Sequence, residues 1–149
     1  LKTGVPDVSL TTDIIVGFPG ETDEDFEETL KVIKESQFDA VYMFKFSPRP
    51  GTTANTMDDD FIEKEVIDSR FMKLKEIQTE ISHVRYKRFI GTDQKLLVEK
   101  YSKKTNTFMS GKIDGGQTVH IPSQDVSIGD FLDVRIIEAT PFALTAEII

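Results

Sequence analysis

Residues 13–22 read DIIVGFPGET, and these ten positions carry the signals of a strand, a turn and a helix start. Ile14, Ile15 and Val16 are consecutive and β-branched, the pattern of a strand buried on both faces in a parallel sheet. Gly17-Phe18-Pro19-Gly20 breaks the run, because proline lacks a ladder donor and glycine reaches backbone conformations closed to other residues. Thr22 stands three residues ahead of Asp25, as in a capping box. Phe26, Leu30, Ile33 and Gln37 follow at helical spacing, with Glu27 and Glu28 near the positive end of the helix dipole. Asp39 to Phe46 (DAVYMFKF) then returns to a strand rich in aromatics. Strand, helix and strand in this order predict a βαβ unit with parallel strands and a right-handed crossover.

Working outward, Ser47-Pro48-Arg49-Pro50-Gly51-Thr52 cannot extend the second strand, since its two prolines remove ladder donors. It reads as a rigid loop at the strand's C-terminal end. Asp58, Asp59 and Asp60 offer N-caps, and Ile67, Phe71, Leu74, Ile77, Ile81 and Val84 recur every three or four positions. One amphipathic helix is predicted from Phe61 to about Phe89, roughly 40 Å long.

Near Phe89 to Thr92 the apolar period changes from helical to alternating, and the charge changes with it. Residues 1–86 carry 10 Lys+Arg against 18 Asp+Glu, and residues 87–149 carry 8 against 8. A domain boundary is expected between 1–86 and 87–149, with Gly91 as the hinge. Beyond it short strands are predicted at Gln94 to Tyr101, Thr107 to Ile113, Gln117 to Ile121, Phe131 to Ala139 and Phe142 to Ile148. Turn chemistry at Lys104-Thr105-Asn106, Asp114-Gly115-Gly116, Ser127 to Asp130 and Thr140-Pro141 separates them. Five strands with no helix between them fit a small antiparallel five-stranded barrel of the oligonucleotide-binding kind, where closure protects the edges. The fold class expected is therefore an α/β segment (βαβα, the end of a larger barrel) followed by an all-β barrel.

The 149 residues have a formal net charge of -8 and contain no cysteine. Disulfides, thiolate zinc sites, cysteine-held iron–sulfur clusters and thiol nucleophiles are excluded for these residues. No apolar run approaches the roughly 18–20 residues of a membrane span, so no membrane partner is expected. The first residue is Leu and no signal-peptide pattern follows, so a fragment of a longer protein is expected.

Two loops and one basic cluster are candidates for chemistry. GFPGET lets backbone approach a ligand at a helix N-terminus, but no Lys-Ser/Thr pair follows Gly20, and Glu21 with Asp23 to Asp25 would repel phosphate. A simple capped connection is the alternative. In SPRPGT, Arg49 is fixed between two prolines where α/β folds gather ligand-binding loops, and a guanidinium there suits a carboxylate or phosphate; pairing with Asp39 or Asp58 is the alternative. In the second half Lys100, Lys103 and Lys104 surround Tyr101, and Phe108, Lys112, His120 and Arg135 lie on neighbouring predicted strands. Basic side chains interleaved with aromatics would contact phosphates and stack on unpaired bases, or serve as solvated edge protection. His83 and His120 lack metal-ligand spacing, and Asp58 to Asp60 lack the remaining ligands of a calcium loop.

Thr12 to Thr22 (TDIIVGFPGET), Tyr42 to Thr52 (YMFKFSPRPGT), and Gly111-Lys112 with Ile128-Gly129-Asp130 together resemble the C-terminal half of radical-SAM methylthiotransferases. The resemblance implies that residues 1–86 are the last βαβα portion of a partial barrel and that residues 87–149 are a TRAM domain, an RNA-binding barrel. It implies S-adenosylmethionine and two 4Fe-4S clusters as cofactors of the full-length enzyme, with Gly17, Pro19, Gly20 and Glu21 at the S-adenosylmethionine mouth and Ser47 and Arg49 beside cofactor or modified base. The family's CxxxCxxC motif has no counterpart in a chain without cysteine, so the segment alone is expected to be inactive and no catalytic residue is assigned. The SPRPGT loop resembles the branch that acts on N6-isopentenyl-adenosine beside the tRNA anticodon, which makes the anticodon stem-loop the expected partner and the cytoplasm the expected location. The sulfur donor stays unassigned.

Two other readings are kept: a TRAM domain that serves as a protein-contact or lid module, and a parent enzyme acting on a ribosomal protein. An unpaired strand edge in the first segment is further expected to cause aggregation, dimerisation or disorder around Leu1 to Thr12.

Overall fold

A computed structural model describes residues 4, 8–57, 60–101, 107–123 and 125–149. They divide into two units, one of residues 10–81 and one of residues 82–149 together with the described residues among 1–9.

In the first unit β1 (Thr11–Val16), α1 (Asp23–Ser36) and β2 (Ala40–Lys45) form the βαβ arrangement. β1 and β2 pair in parallel from Thr11↔Ala40 to Val16↔Lys45. The capping box forms as its spacing requires: the Asp25 amide donates to Thr22 Oγ1 at 3.1 Å, and the Thr22 amide donates to Asp25 Oδ2 at 3.0 Å. α1 stops at Ser36 because Gln37 takes a left-handed conformation (φ 52°) and its N–H closes on the Ile33 carbonyl. Gln37 is thus the C-cap and does not extend the helical stripe.

The core of this unit is Val16, Phe26, Leu30, Ile33, Leu74 and Ile81, with Ile14, Phe38, Val41, Met43 and Ile77 packed against it. Burial of β1 on both faces is not observed. Ile14 and Val16 turn toward the helices, whereas Ile15 is 52% exposed, as are Tyr42 and Phe44 of β2 at 58% and 53%. Among the described residues the helices cover one face of this sheet, so strand residues alternate between core and surface.

α2 spans Lys64–Lys87, starting later than the apolar period suggests. Asp60 lies ahead of it, its amide closing on the Met57 carbonyl at 3.0 Å, and Asp58 and Asp59 fall outside the described residues. The buried stripe of α2 is more polar than the sequence period implies: Arg70, Gln78 and Ser82 are buried beside Leu74 and Ile81, while Val84 is exposed. Gln78 Nε2 donates to the Phe38 carbonyl at 2.9 Å, which supplies its amide with a partner inside the core.

In the second unit β3 (Asp93–Tyr101), β4 (Phe108–Ile113), β5 (Thr118–Pro122), β6 (Phe131–Ala139) and β7 (Leu144–Ile148) close into a barrel of order β3-β4-β5-β7-β6. The expectation of a wholly antiparallel barrel is corrected here: β5 and β7 pair in parallel through Val119↔Leu144 and His120↔Thr145. Strand direction cannot alternate all the way around a ring with an odd number of members, so at least one parallel pair is forced by closure. The interior is Leu96, Val98, Met109, Ile113, Val119, Ile121, Val134, Ile136, Leu144 and Ala146, with Tyr86 from the end of α2 in the same cluster. Gly111 faces this interior opposite Val98. Among the described residues no helix is long and apolar enough to cross a membrane.

Candidate functional site

The two candidate loops of the first unit are variants of one turn. In Phe18-Pro19-Gly20-Glu21 the Glu21 amide donates to the Phe18 carbonyl at 2.9 Å, and Gly20 has φ 82°. In Arg49-Pro50-Gly51-Thr52 the Thr52 amide donates to the Arg49 carbonyl at 3.2 Å, and Gly51 has φ 84°. Proline at the second position presets φ and glycine at the third accepts the positive φ, the signature of a type II turn. The Thr52 hydroxyl adds a 2.8 Å bond to the same Arg49 carbonyl. Parallel pairing then brings the turns together: Val16 opposes Lys45, so both strands end level, and the Phe46 amide donates to the Val16 carbonyl at 2.8 Å.

Between the turns lies a cavity of about 470 Å³, lined by Ile15, Phe18, Phe44 and Phe46 on its apolar side and by Ser47, Arg49 and Thr52 on its polar side. Phe18 meets Phe46 edge-on with ring centroids 5.3 Å apart, and Phe46 meets Phe61 at 6.1 Å. Lys45 also lines the cavity, but its ammonium pairs with Asp68 at 2.6 Å and holds the Asp68 carboxyl below the usual range. Arg49 is exposed and has no acidic partner among the described residues; Asp39 is buried and accepts from the Leu10 amide instead.

Of the residues singled out in GFPGET, Gly17 and Pro19 are buried and Gly20 is exposed. The Glu21 carboxylate faces inward, accepting from the Gly17 amide at 2.8 Å and from Arg70 Nη1 at 2.7 Å. Phe18, Phe44 and Ile15 line the cavity although the motifs alone do not single them out. Their signal is present all the same, as large apolar side chains in a turn and on the outward positions of two strands.

In the second unit the strand register sorts the basic candidates onto two faces. Lys112 opposes Thr118, Phe108 opposes Pro122 and His120 opposes Thr145, so Phe108, Lys112 and His120 lie on the outer side of β4 and β5. Lys100 and Tyr101 lie at the neighbouring end of β3, opposite Ser110 and Met109. Lys112 Nζ donates to the Gly116 carbonyl at 2.8 Å and to Thr118 Oγ1 at 2.9 Å, neutral groups that leave its charge uncompensated. Arg135 is separated from this set. It lies on the β3–β6 face and binds Asp93 through two nitrogens at 2.7 and 2.9 Å, which holds the Asp93 carboxyl below its usual range. Lys95 pairs with Asp133 on the same face at 3.1 Å. Lys103 and Lys104 lie outside the described residues. The described residues hold no group of three or more His, Asp or Glu side chains able to bind a metal ion.

Residues 87–149 match the TRAM domain. The chain is 44% identical over 99% of its length to the tRNA-2-methylthio-N(6)-dimethylallyladenosine synthase of Corynebacterium urealyticum, covering 28% of that protein. It is 42% identical over 99% of its length to the synthase of the same name from Clostridium botulinum strain Langeland, covering 32% of it. The chain thus spans about three-tenths of the length of these curated relatives. The apo form of Mycoplasma genitalium RNase R superimposes with a TM-score of 0.34 at 10% identity, over 64% of this chain and 19% of that one, a likeness too slight to bear on fold or function. The chain, motifs TDIIVGFPGET, YMFKFSPRPGT and Gly111-Lys112 included, is therefore similar over nearly its whole length to a part of the tRNA-2-methylthio-N(6)-dimethylallyladenosine synthases, and its residues 87–149 match the TRAM domain.

Proposed function

We propose that this chain works as the C-terminal portion of a tRNA-modifying methylthiotransferase, which adds a methylthio group to C2 of N6-isopentenyladenosine beside the anticodon. Residues 1–86 would contribute one wall of the cofactor mouth and residues 87–149 would hold the RNA. The observation that carries the reading is the meeting of the Phe18 and Arg49 turns at one cavity, with apolar rings on one side and an arginine lacking an acidic partner among the described residues on the other.

S-adenosylmethionine fits that donor set: aromatic and aliphatic surface for a purine, hydroxyls at Ser47 and Thr52, and a guanidinium for a carboxylate, in a volume within the usual range for small-molecule sites. Its established chemistry in this family is radical formation. Ile15, Phe18, Phe44 and Phe46 would lie against the purine, while Arg49, its carbonyl bonded by Thr52, would orient the carboxylate. The 4Fe-4S clusters do not fit these residues, since the chain has no cysteine; no step through a cluster is derived from it.

The test is the complete enzyme assayed for methylthiolated adenosine in digested tRNA, with Arg49→Ala alongside. Product from the unaltered enzyme and a raised KM for S-adenosylmethionine in the variant support the reading. Absence of the product, or its appearance on a ribosomal protein instead, refutes it. A second reading, in which the barrel contacts protein, draws on the self-neutralised Asp93–Arg135 and Lys95–Asp133 face; filter binding in which the complete enzyme retains tRNA at low salt and the 149-residue chain does not would favour it.

A further inference from the structure

Arg70 is charged, more than nine-tenths buried, and set in the buried stripe of α2 one turn after Ile67 and one before Leu74. Burying an arginine is costly unless its donors are met; here both terminal nitrogens converge on one loop, while Nε has no partner among the described residues. Nη1 donates to the Glu21 carbonyl at 3.0 Å and to Glu21 Oε2 at 2.7 Å, and Nη2 donates to Asp23 Oδ1 at 2.7 Å. Burial by itself disfavours the charge, but the hydrogen bonds to Asp23 and Glu21 more than offset it and keep the guanidinium protonated. Glu21 Oε2 passes the tie onward by accepting the Gly17 amide at 2.8 Å.

Two further contacts come from the same segment. Ile67 fills the space beneath Gly17, where a Cβ would stand 2.5 Å from Ile67 Cγ1, and the Gly20 amide donates to the Asp60 carbonyl at 2.9 Å. Gly17 and Gly20 both have positive φ, 78° and 82°, a conformation that flexible glycine backbone does not hold unaided. Phe18, on the cavity wall, lies between the tied residues Gly17 and Glu21.

We propose that Arg70 is a positioning residue: through Glu21 it fixes the Gly17–Glu21 loop and so sets Phe18 against the ligand cavity. The loop part of this proposal stands on geometry alone, and its bearing on S-adenosylmethionine rests on the function proposed above. In this reading Glu21 acts on the loop and not on the cofactor, and Arg70 touches neither cofactor nor substrate. A charge-assisted hydrogen bond at a buried site is worth about tenfold or more in an equilibrium, which sets the scale of the effect.

The experiment compares the unaltered protein with Arg70→Met, Arg70→Lys and Glu21→Gln in two measurements. In the 149-residue chain, exchange of the Gly17 amide is expected to quicken about tenfold or more in Arg70→Met and Glu21→Gln while the Leu30 and Ile33 amides of the core keep their rates. In the complete enzyme, KM for S-adenosylmethionine is expected to rise with kcat unchanged, and Arg70→Lys to recover part of the loss, since an ammonium reaches one carboxylate but cannot fork across two. Should Arg70→Met fail to fold, Glu21→Gln, which keeps the side chain's shape, decides the matter. Unchanged Gly17 exchange, or a rise shared equally by the core amides, overturns the latch. A loosened loop with unchanged KM overturns its role toward the cofactor. An unaltered enzyme without methylthio-transfer activity counts against the proposed function, and Gly17 exchange then still decides whether Arg70 latches the loop.

Discussion

Gly111→Ala tests the packing of the barrel at a glycine where close approach of neighbouring backbone, and not backbone torsion, sets the requirement. A Cβ at Gly111 would overlap the Leu97 carbonyl oxygen, stand 2.8 Å from the Leu97 carbonyl carbon and 3.0 Å from Leu96 Cδ1. Carbon atoms rest about 3.5–4.0 Å apart, so β3 and β4 would have to part by roughly 0.7 Å or more. Ladder bonds of ordinary length would then pass out of good geometry. Overpacking costs about 1–3 kcal/mol and one or two weakened ladder bonds about 1 kcal/mol each, so a loss of roughly 3 kcal/mol is expected. For a domain of this size that corresponds to a fall in Tm of about 12–24 °C. Gly116→Ala is the control: Gly116 has φ 80° but nothing within 4 Å of its would-be Cβ, so only the torsional penalty of about 1 kcal/mol applies. Thermal unfolding followed through the methyl signals of Val119 and Ile136 reports on this barrel alone. If Gly111→Ala costs no more than Gly116→Ala, the close approach of β3 to β4 is not what excludes a side chain there.

Other substitutions test the cap, the charges and the surface. Thr22→Ala removes the N-cap acceptor of α1 and is expected to cost about 1 kcal/mol at neutral pH, read by denaturant titration. The Asp25 carboxyl is held low by the Thr22 backbone and side chain, Asp68 by Lys45 and Asp93 by Arg135. A carboxyl depressed in the folded state contributes stability that is complete above its unfolded pKa of about 3.9 and is lost as pH falls through the folded value. Stability should therefore decline on acidification below about pH 4, with a shallower limb in Thr22→Ala and Arg135→Gln; an unaltered limb would count against these pairings. On the barrel, Lys100→Ala and Lys112→Ala should each weaken RNA retention and lower the salt slope by about one, whereas Arg135→Ala, whose guanidinium is already committed to Asp93, should leave the slope nearly unchanged. The reverse order would place the RNA on the β3–β6 face.

Where structure follows from neighbours in the chain, it is legible. Thr22 and Asp25 form the capping box their spacing announces, Phe26, Leu30 and Ile33 are buried at the helical period, and the alternation of Val134 and Ile136 marks the inside of the barrel. Sequence pattern misleads where the deciding partner is remote. Ile15 looks like a core residue beside Ile14 and Val16, yet which faces of a sheet are covered is a property of the packed layers and not of the strand. That some neighbouring pair is parallel follows from counting alone, because five strands in a ring cannot alternate; that the pair is β5–β7 follows from the order in which the ring closes.

Arg70 is easily overlooked because a charge in an amphipathic helix usually faces solvent. Its position is informative: three residues after Ile67 and four before Leu74, it occupies the apolar stripe, where a buried arginine must have partners elsewhere. Its partners are two carboxylates at the strand-to-helix connection, the inward-facing Glu21 and the exposed Asp23. The same logic explains why the two Pro-Gly turns meet although about thirty residues separate them. Each is visible as a local turn, but their convergence depends on Val16 opposing Lys45, a register that parallel pairing with equal strand ends produces and that no local signal contains. The cavity is thus a consequence of register, and the identity of its wall a consequence of which turn residue, Phe18, is held facing it from behind.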